Sequence, residues 1–373
     1  MAKLSYTQLK AYVADVVTKA KLSNDTFSVT RDNVVGLLDK IGKIITVDTV
    51  YQIDKLALFD GEYLSFGKTI EEWAQDLIMP VDFDADGSTA LAPHDPTYRP
   101  VFYSYTNGKK VIPTTIRYNN IERAVHFEDQ FIEIVAMNTK RLDDSMAVYR
   151  YGLKREILGK LMALCNDAMT NTNTYAVSTA YDNGALVRSA SSGQNIKHGI
   201  VVKPIAATND KNWAAAVAAG MIIELDLITT IAVPTDTSTG EAFIKQVKKD
   251  VEIAQDLSEG HSLNGNSLGA TEGLVLILNQ GVIPDLEVDT YAGAFNRGDL
   301  STNVEQIIVK DFGSATDYFA ILMDRRGARL HDTFNATYEN LNGQGAFMNV
   351  FRHIETTSYI SRNTFVKVYK IAS

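Results

Sequence analysis

A stripe of apolar residues between residues 142 and 168 is the feature that most constrains the fold of this 373-residue chain. Its members recur every three or four positions, which is the spacing of one face of an α-helix. A helix unbroken from Leu142 to Met169 would be about 40 Å long at 1.5 Å per residue. The sequence therefore predicts a long helix that organises the core. Its predicted core face consists of Met146, Tyr149, Leu153, Ile157, Leu161 and Leu164.

Two glycines and one acidic pair within the stripe add details to the predicted helix. Glycine in a helix interior costs up to about 1 kcal/mol relative to alanine. Another element is therefore expected to approach the helix closely at Gly152 and Gly159. Adjacent carboxylates suit the first turn of a helix, where the helix dipole favours negative charge. Asp143 and Asp144 are accordingly interpreted as residues of an N-terminal turn.

Residues 60–118 are extended in character and poor in residues that would form a core. The segment 80–100 is rich in proline and aspartate, and a ribbon-like stretch of alternating residues follows it. Within that stretch, the Asn107-Gly108 pair is typical of a hairpin turn. An excursion of this length from a compact domain is usually functional or disordered.

The stretch from Gly61 to Thr69 resembles a phosphate-binding loop without matching it. Gly61, Gly67, Lys68 and Thr69 supply the residue types, but five residues separate the two glycines where the motif has four. Thr69 and Glu72 fit a capping box instead, which predicts a helix beginning after Thr69. The sequence therefore predicts no nucleotide site here.

The acidic segment that follows resembles the first half of a calcium-binding loop. Asp82, Asp84, Asp86 and Gly87 fall at the expected positions, but the twelfth position, which needs a glutamate, is Pro93. An acidic, solvated tip is the better interpretation. The histidines show no metal-ligand spacing, and no set of catalytic partners is present. The sequence thus predicts no metal, no cofactor and no catalytic residue.

Net charge, hydropathy and cysteine content exclude further classes of function. The formal net charge of −9 argues against binding nucleic acid by phosphate neutralisation. No apolar run approaches the roughly 20 residues that cross a bilayer. The single cysteine, Cys165, excludes an internal disulfide and lies in an apolar helical run, which indicates a packed thiol.

The region from 172 to 311 reads as one α/β domain. It contains an alanine-rich helix after Trp213 and a helix predicted to open at the capping box Ser238-x-x-Glu241. A wholly apolar run at 274–278 suits a buried strand.

Four stretches resemble a known family, and their order is more telling than any one of them. They are DKIGKIITVDTV (39–50), LSFGKTIEEWAQDL (64–77), PDLEVDTYAGAFNR (284–297) and FRHIETTSYISRN (351–363). The chain is similar here to the major capsid proteins of phi29-type podoviruses, which have the Hong Kong 97 (HK97) fold of tailed-phage capsids.

The resemblance implies an α+β, HK97-like fold with a definite division of the chain. Residues 1–59 would be the N-terminal arm with its lead-in strand, and 60–118 the extended loop, or E-loop. Residues 119–171 and the strand-like segment 312–373 would form the peripheral domain with its spine helix. Residues 172–311 would form the axial domain.

The resemblance also implies a function. The chain would be a non-enzymatic major capsid protein that assembles with itself, as hexamers and pentamers, into the icosahedral or prolate head shell around double-stranded DNA. Scaffolding and portal proteins would be partners, no membrane would be involved, and assembly in the host cytoplasm would lead to the virion. The implied assembly residues of the E-loop are Asp82, Asp84, Asp86, Lys109, Lys110 and Arg117. An encapsulin-type nanocompartment shell is the alternative, and a nucleotide-binding enzyme is a distant third.

Overall fold

The structure is a computed structural model. It describes residues 54–65, 67, 69–75, 87, 98–103, 105–117, 128–170, 173–190, 192–193, 195–256, 258–267, 273–280 and 304–372. Residues 1–53 of the predicted N-terminal arm, Lys68, and the acidic tip with Asp82, Asp84 and Asp86 lie outside the described residues.

The described chain contains three α-helices and fifteen strands. The helices are α1 (Glu128–Thr170), α2 (Trp213–Ala218) and α3 (Thr237–Gln255), with a 3₁₀ turn at Ala57–Phe59. The strands are β1 (Ile70–Gln75), β2 (Tyr98–Tyr103), β3 (Tyr105–Arg117), β4 (Leu186–Arg188), β5 (His198–Val201), β6 (Ile222–Leu225), β7 (Ile228–Ile231), β8 (Ser258–Glu259), β9 (Asn266–Ser267), β10 (Leu274–Asn279), β11 (Glu305–Val309), β12 (Tyr318–Asp324), β13 (Ala328–Asn342), β14 (Phe347–Ile360) and β15 (Val366–Ile371).

Two sheets carry most of the architecture. One is antiparallel, with the order β13-β14-β3. The other has the order β11-β10-β12-β15-β7 and is mixed, since β11 and β7 are parallel to their neighbours. Strands β4-β5-β6 form a small antiparallel sheet, and β1 pairs with β2 as a separate antiparallel ribbon.

Helix α1 is one continuous element of 43 residues. It begins at Glu128, before the start predicted at Leu142, and at 1.5 Å per residue it is about 65 Å long. Of the predicted core face, Met146, Leu153, Ile157 and Leu161 are buried, while Tyr149 and Leu164 are half-buried. A second row, Leu158, Met162 and Cys165, is also fully buried.

The position of Cys165 agrees with its interpretation as a packed thiol. Its side chain has no exposed surface, and burial raises the pKa of the thiol to about 12. A thiol in this environment stays protonated and inert at neutral pH.

One of the two helix glycines meets a close neighbour. A Cβ at Gly159 would lie 2.5 Å from the carbonyl oxygen of Phe312, so this contact requires glycine. At Gly152 a Cβ would meet no atom of the described residues within 4 Å. The expectation of a close approach is confirmed for Gly159 and wrong for Gly152.

The predicted helix after Thr69 is wrong, because Ile70–Gln75 form strand β1. Backbone pairing with β2 outweighs the local capping signal. Glu72 does not reach back to the start of a helix; its carboxylate accepts hydrogen bonds from Tyr103 and Ser361. A capping box is a local pattern, and distant partners override it here.

The hairpin turn predicted at Asn107-Gly108 is also wrong. Both residues lie inside β3, where the pairing with β14 shifts register between Ile354 and Thr356. The Asn107 amide donates to the hydroxyls of Thr356 (3.1 Å) and Ser358 (2.7 Å). The pair therefore marks a bulge in a long strand, a position where glycine is also favoured.

The remaining helix and strand predictions are close to the structure. Helix α2 begins at Trp213, as expected. The N-cap of helix α3 is Asp236, two residues before the predicted cap Ser238, and it forms a capping box with Thr239. The run at 274–278 is the buried strand β10. Its sheet joins strands from both sides of residue 311, the predicted end of the axial domain.

Candidate intersubunit surface

The ribbon of β1 and β2 lies at the base of the predicted E-loop. Its strands pair from Ile70 opposite Tyr103 to Gln75 opposite Tyr98. Successive side chains of a strand point to opposite faces. Glu71 and Trp73 share one face and are exposed, Trp73 by 63% of its surface, whereas Glu72 is half-buried on the other face. Trp73 therefore presents a large apolar surface on this face of the ribbon.

Other exposed apolar residues lie along the same part of the chain. Tyr63 and Tyr105 are each 56% exposed, and Val111 on β3 is 43% exposed. Tyr105 also lies under the ammonium group of Lys160, which is 4.1 Å from the ring centroid. Together with Trp73 they line the two limbs of the predicted E-loop.

The half-buried face of the ribbon is fixed to the rest of the subunit through Glu72. The Tyr103 hydroxyl donates to Glu72 Oε2 at 2.6 Å, and the Ser361 hydroxyl donates to Glu72 Oε1 at 2.6 Å. The Tyr103 hydroxyl in turn accepts from the backbone N–H of Arg362 at 3.0 Å. The ring of Tyr103 packs edge-on against Tyr359, with 4.9 Å between centroids. We call Glu72, Tyr103, Tyr359 and Ser361 the Glu72 cluster.

The first limb of the loop leaves the subunit beside β13. The N–H groups of Gly61 and Leu64 each donate to a carbonyl of β13, those of Leu330 and Asp332, at 2.9 Å. His331 Nδ1 is 2.9 Å from the carbonyl oxygen of Glu62, and a Cβ at Gly61 would lie 2.5 Å from the imidazole ring. Gly61 thus has a packing role at the edge of β13.

Ion pairs join the same limb to α1. The ammonium group of Lys154 is fully buried and contacts Asp54 at 2.5 Å and Asp60 at 2.9 Å. The guanidinium of Arg150 contacts Asp60 at 2.7 Å and also pairs with Asp332 of β13. Burial of these cations is tolerated because each has two carboxylate partners. The start of the loop is therefore held against both the helix and the sheet.

The basic residues predicted for assembly lie on β3, the outer strand of its sheet. Lys109, Lys110 and Arg117 are all exposed. The ammonium group of Lys109 is 4.9 Å from the ring centroid of Phe334. Arg117 is eight residues further along the strand than Lys109, about 26 Å away at 3.3 Å per residue. The three cations therefore follow one edge strand without forming a single patch.

A buried ion pair beneath this sheet was missed by the sequence interpretation. Asp143 lies in the middle of α1, not in its first turn, and its carboxylate is 3.5 Å from the guanidinium of Arg352 on β14. The Arg352 side chain is almost completely buried. Burial raises the pKa of Asp143 to about 6, although Arg352 opposes this shift. No local pattern announces this pair, because its partners are more than 200 positions apart.

Two further kinds of feature are absent from the described residues. None of them form a group of three or more histidine, cysteine, aspartate or glutamate side chains that could hold a metal. Within the same part of the chain, no helix has the length and apolar character needed to cross a membrane.

Comparisons with known proteins agree with this architecture. The solved capsid structure of Staphylococcus phage Andhra is similar to the chain with a TM-score of 0.52 and 10% identity, over 85% of this chain and 84% of that chain. The capsid structure of the cyanophage P-SCSP1u is similar with a TM-score of 0.50 and 10% identity, over 85% and 87%. At these identities the likeness shows the fold, which is the α+β fold of phage capsid proteins.

Sequence comparison gives the family. No curated protein matches the chain. The family described as Phi29-like phage major capsid protein matches residues 6–366, which is nearly the whole chain. Neither the encapsulin nor the enzyme alternative is favoured by this match, and the function is that of a capsid shell protein. The chain belongs to the family of phi29-like phage major capsid proteins.

Proposed function

We propose that the chain forms the head shell of a phage around double-stranded DNA, and that residues 60–118 are the arm by which each subunit holds its neighbour. The observation that carries this proposal is the exposure of Trp73 on a two-stranded ribbon outside both main sheets. Aromatic residues are enriched at protein interfaces, where they supply much of the binding free energy.

The construction of the arm supports the same proposal. Its first limb is held by Lys154 and Arg150, and its second limb continues into β3. A root fixed on both sides allows the arm to present its exposed residues at a defined angle. The exposed cations of β3 would meet the acidic tip residues Asp82, Asp84 and Asp86 of a neighbour, which gives specificity of docking more than affinity.

The domains of the shell subunit follow from the two main sheets. We assign α1 with β13 and β14 to the peripheral domain, and β3, the second limb of the arm, completes their sheet. The axial domain would comprise residues 172–311, and strands β12 and β15 complete its sheet although they belong to the segment 312–373. This assignment keeps each sheet whole.

The other proposed partners, the portal and scaffolding proteins, follow from the proposed role as a DNA-filled shell. A shell of hexamers and pentamers that is filled with DNA needs an entry channel and a guide for curvature, which portal and scaffolding proteins would supply in the host cytoplasm. The net charge of −9 fits an inner wall that does not bind the packaged DNA tightly. A structural role of this kind requires no catalytic residue and no cofactor.

Replacement of residues 80–97, between β1 and β2, by a short Gly/Ser linker tests the proposed arm. We expect helix content and melting temperature of the unassembled subunit to stay close to those of the parent, while closed shells fail to form. Circular dichroism and electron microscopy on the same preparation measure both properties.

A point variant makes the test more specific. Trp73→Ala should reduce shell formation strongly, since truncation of an interface hot spot costs about 2 kcal/mol or more at each contact. Val177→Ala, at a residue 46% exposed in the region between α1 and β4, is the matched control. Normal shells from the linker variant would contradict the proposal, and an unfolded subunit would mean that the segment belongs to the core.

A further inference from the structure

The Glu72 cluster joins three parts of the subunit that have separate roles. Glu72 belongs to the ribbon, and Tyr103 is the last residue of β2, immediately before β3 begins at Tyr105. Ser361 and Arg362 belong to the turn between β14 and β15. That turn is where the chain crosses from the three-stranded sheet to the five-stranded sheet. One carboxylate thus contacts the ribbon, the end of β14 and the crossing between the two sheets.

The crossing turn is itself held firmly on its far side. The N–H of Asn264 donates to the carbonyl oxygen of Arg362 at 2.9 Å, and the Asn264 amide donates to Asn363 at 2.8 Å. The N–H of Ser361 donates to the carbonyl oxygen of Gly327 at 2.9 Å. These hydrogen bonds hold Ser361 in place, so its hydroxyl donates to Glu72 from a fixed position and restrains the ribbon.

The chemistry of the cluster favours one geometry. An ionised carboxylate only accepts hydrogen bonds, and hydroxyl donors to it form short, strong bonds. Both hydroxyl contacts to Glu72 measure 2.6 Å. Burial and then the nearby Glu72 raise the pKa of Tyr103 far above its usual range, so this hydroxyl remains a donor at every physiological pH. Because Tyr103 also accepts from the backbone of Arg362, its donor is directed at Glu72.

The angle of the ribbon has a large effect at its far end. A strand of six residues, the length of β1, spans about 20 Å. A rotation of about 10° at the root would move the far end by roughly 3–4 Å over that span. In a closed shell such a displacement repeats at every equivalent contact, so it changes the curvature.

We propose that Glu72 is a positioning residue for assembly: its carboxylate sets the angle of the arm relative to the crossing between the two sheets, and thereby the curvature of the shell. This inference rests on the proposed function of residues 60–118 as the intersubunit arm. It assigns a role to a half-buried residue whose carboxylate is hydrogen-bonded within its own subunit.

Shell diameter is the measurement that tests this role. The full chain and its variants are expressed under conditions in which the parent forms shells, and diameters are measured by electron microscopy. For Glu72→Ala we expect a broadened distribution with open or aberrant shells. The fraction of shells with the parental diameter should fall roughly ten-fold, because two hydrogen bonds to a charged group are lost. The melting temperature of the unassembled subunit should stay close to that of the parent.

Matched variants separate the positioning role from a general effect on the ribbon. Glu252→Ala removes an exposed carboxylate from α3, outside both the ribbon and the Glu72 cluster, and it should give parental shells. Glu72→Gln keeps one acceptor and the size of the side chain, so its distribution should be intermediate. Ser361→Ala removes one of the two bonds without altering the ribbon, and it carries the test if Glu72→Ala fails to fold.

A second measurement follows the ribbon in the unassembled subunit. The chain has two tryptophans, Trp73 and Trp213, so in a Trp213→Phe background the fluorescence anisotropy reports on Trp73 alone. Glu72→Ala should lower this anisotropy, whereas Glu71→Ala should leave it unchanged.

The outcomes distinguish this inference from the proposed function. The linker replacement of residues 80–97 could abolish shells while Glu72→Ala and Ser361→Ala give shells of parental diameter. In that case the positioning role of Glu72 is wrong, but residues 60–118 are still supported as the intersubunit arm. If the linker variant assembles normally, the proposed function itself fails. Equal disruption of shells by Glu252→Ala and Glu72→Ala would also overturn the positioning role.

Discussion

Gly159 shows how a single position can be set by a distant backbone atom. Its missing side chain lets α1 lie against the carbonyl oxygen of Phe312, where a Cβ would approach to 2.5 Å. We expect Gly159→Ala to lower the free energy of unfolding by about 1–3 kcal/mol, the usual cost of overpacking. Denaturant titration of the unassembled subunit measures this change.

The control for this prediction is on the same helix. A Cβ at Gly152 meets no atom of the described residues within 4 Å, so Gly152→Ala should gain up to about 1 kcal/mol from helix propensity. Similar losses from the two variants would show that the contact with Phe312 does not determine the difference.

Asp143 is the residue at which the stability of the subunit should depend on pH. Its pKa is raised to about 6, first by burial and then by Asp144, against the attraction of Arg352. A raised pKa means that the folded state favours the protonated carboxyl. The stabilisation is complete below about pH 4 and is lost as the pH rises through about 6.

The variant Asp143→Asn should remove this dependence, because an amide resembles the neutral carboxyl at every pH. Its free energy of unfolding relative to the parent should rise by on the order of 2–3 kcal/mol between pH 4 and pH 7. Denaturant titrations at several pH values provide the comparison, with the adjacent Asp144→Asn as the control. A difference that does not vary with pH would contradict the prediction.

At the scale of elements, the periodic spacing of apolar residues predicted a helix correctly, whereas two short local motifs gave wrong predictions. The helical stripe from Leu142 to Ala168 is a repeated signal, and it identified α1 because many side chains share one burial requirement. The capping box at Thr69 and the Asn107-Gly108 pair are short signals. Both gave way to strand pairing with β2 and β14, which local residues do not reveal.

The buried stripe of α1 has a direct test. Leu153 is 8% exposed and packs in the main core, so Leu153→Asp would bury an unpaired carboxylate. This change should cost several kcal/mol and abolish soluble expression. Leu161→Asp should behave in the same way.

The matched control is Val148→Asp, since Val148 lies on the same helix but is 57% exposed. It should express and melt much like the parent. A Leu153→Asp variant that melts like Val148→Asp would mean that this face of α1 is not part of the core.

At the scale of the whole molecule, the order of elements predicted the fold and the family better than any single site. The capsid fold requires a long helix, a core-poor loop and strands that return at the end of the chain, and each of these is visible in the sequence. The Glu72 cluster and the Asp143–Arg352 pair were not predictable, because each depends on residues brought together from distant positions by the sheets. Exposure of Trp73 likewise follows from the pairing of β1 with β2 and from no local pattern.

The charge of the whole subunit leads to the last prediction. Proteins that bind duplex DNA without sequence preference do so by neutralising phosphates, with dissociation constants of about 10⁻⁴–10⁻⁶ M at physiological salt. A chain with a net charge of −9 carries an excess of carboxylates, which repel the phosphates of DNA. We therefore expect the unassembled subunit to bind a fluorescent duplex more weakly than about 10⁻⁴ M in an anisotropy titration. Micromolar binding that weakens steeply with added salt would instead show that the subunit holds DNA through its phosphates, and the packaged DNA would then be bound to the wall and not merely enclosed by it.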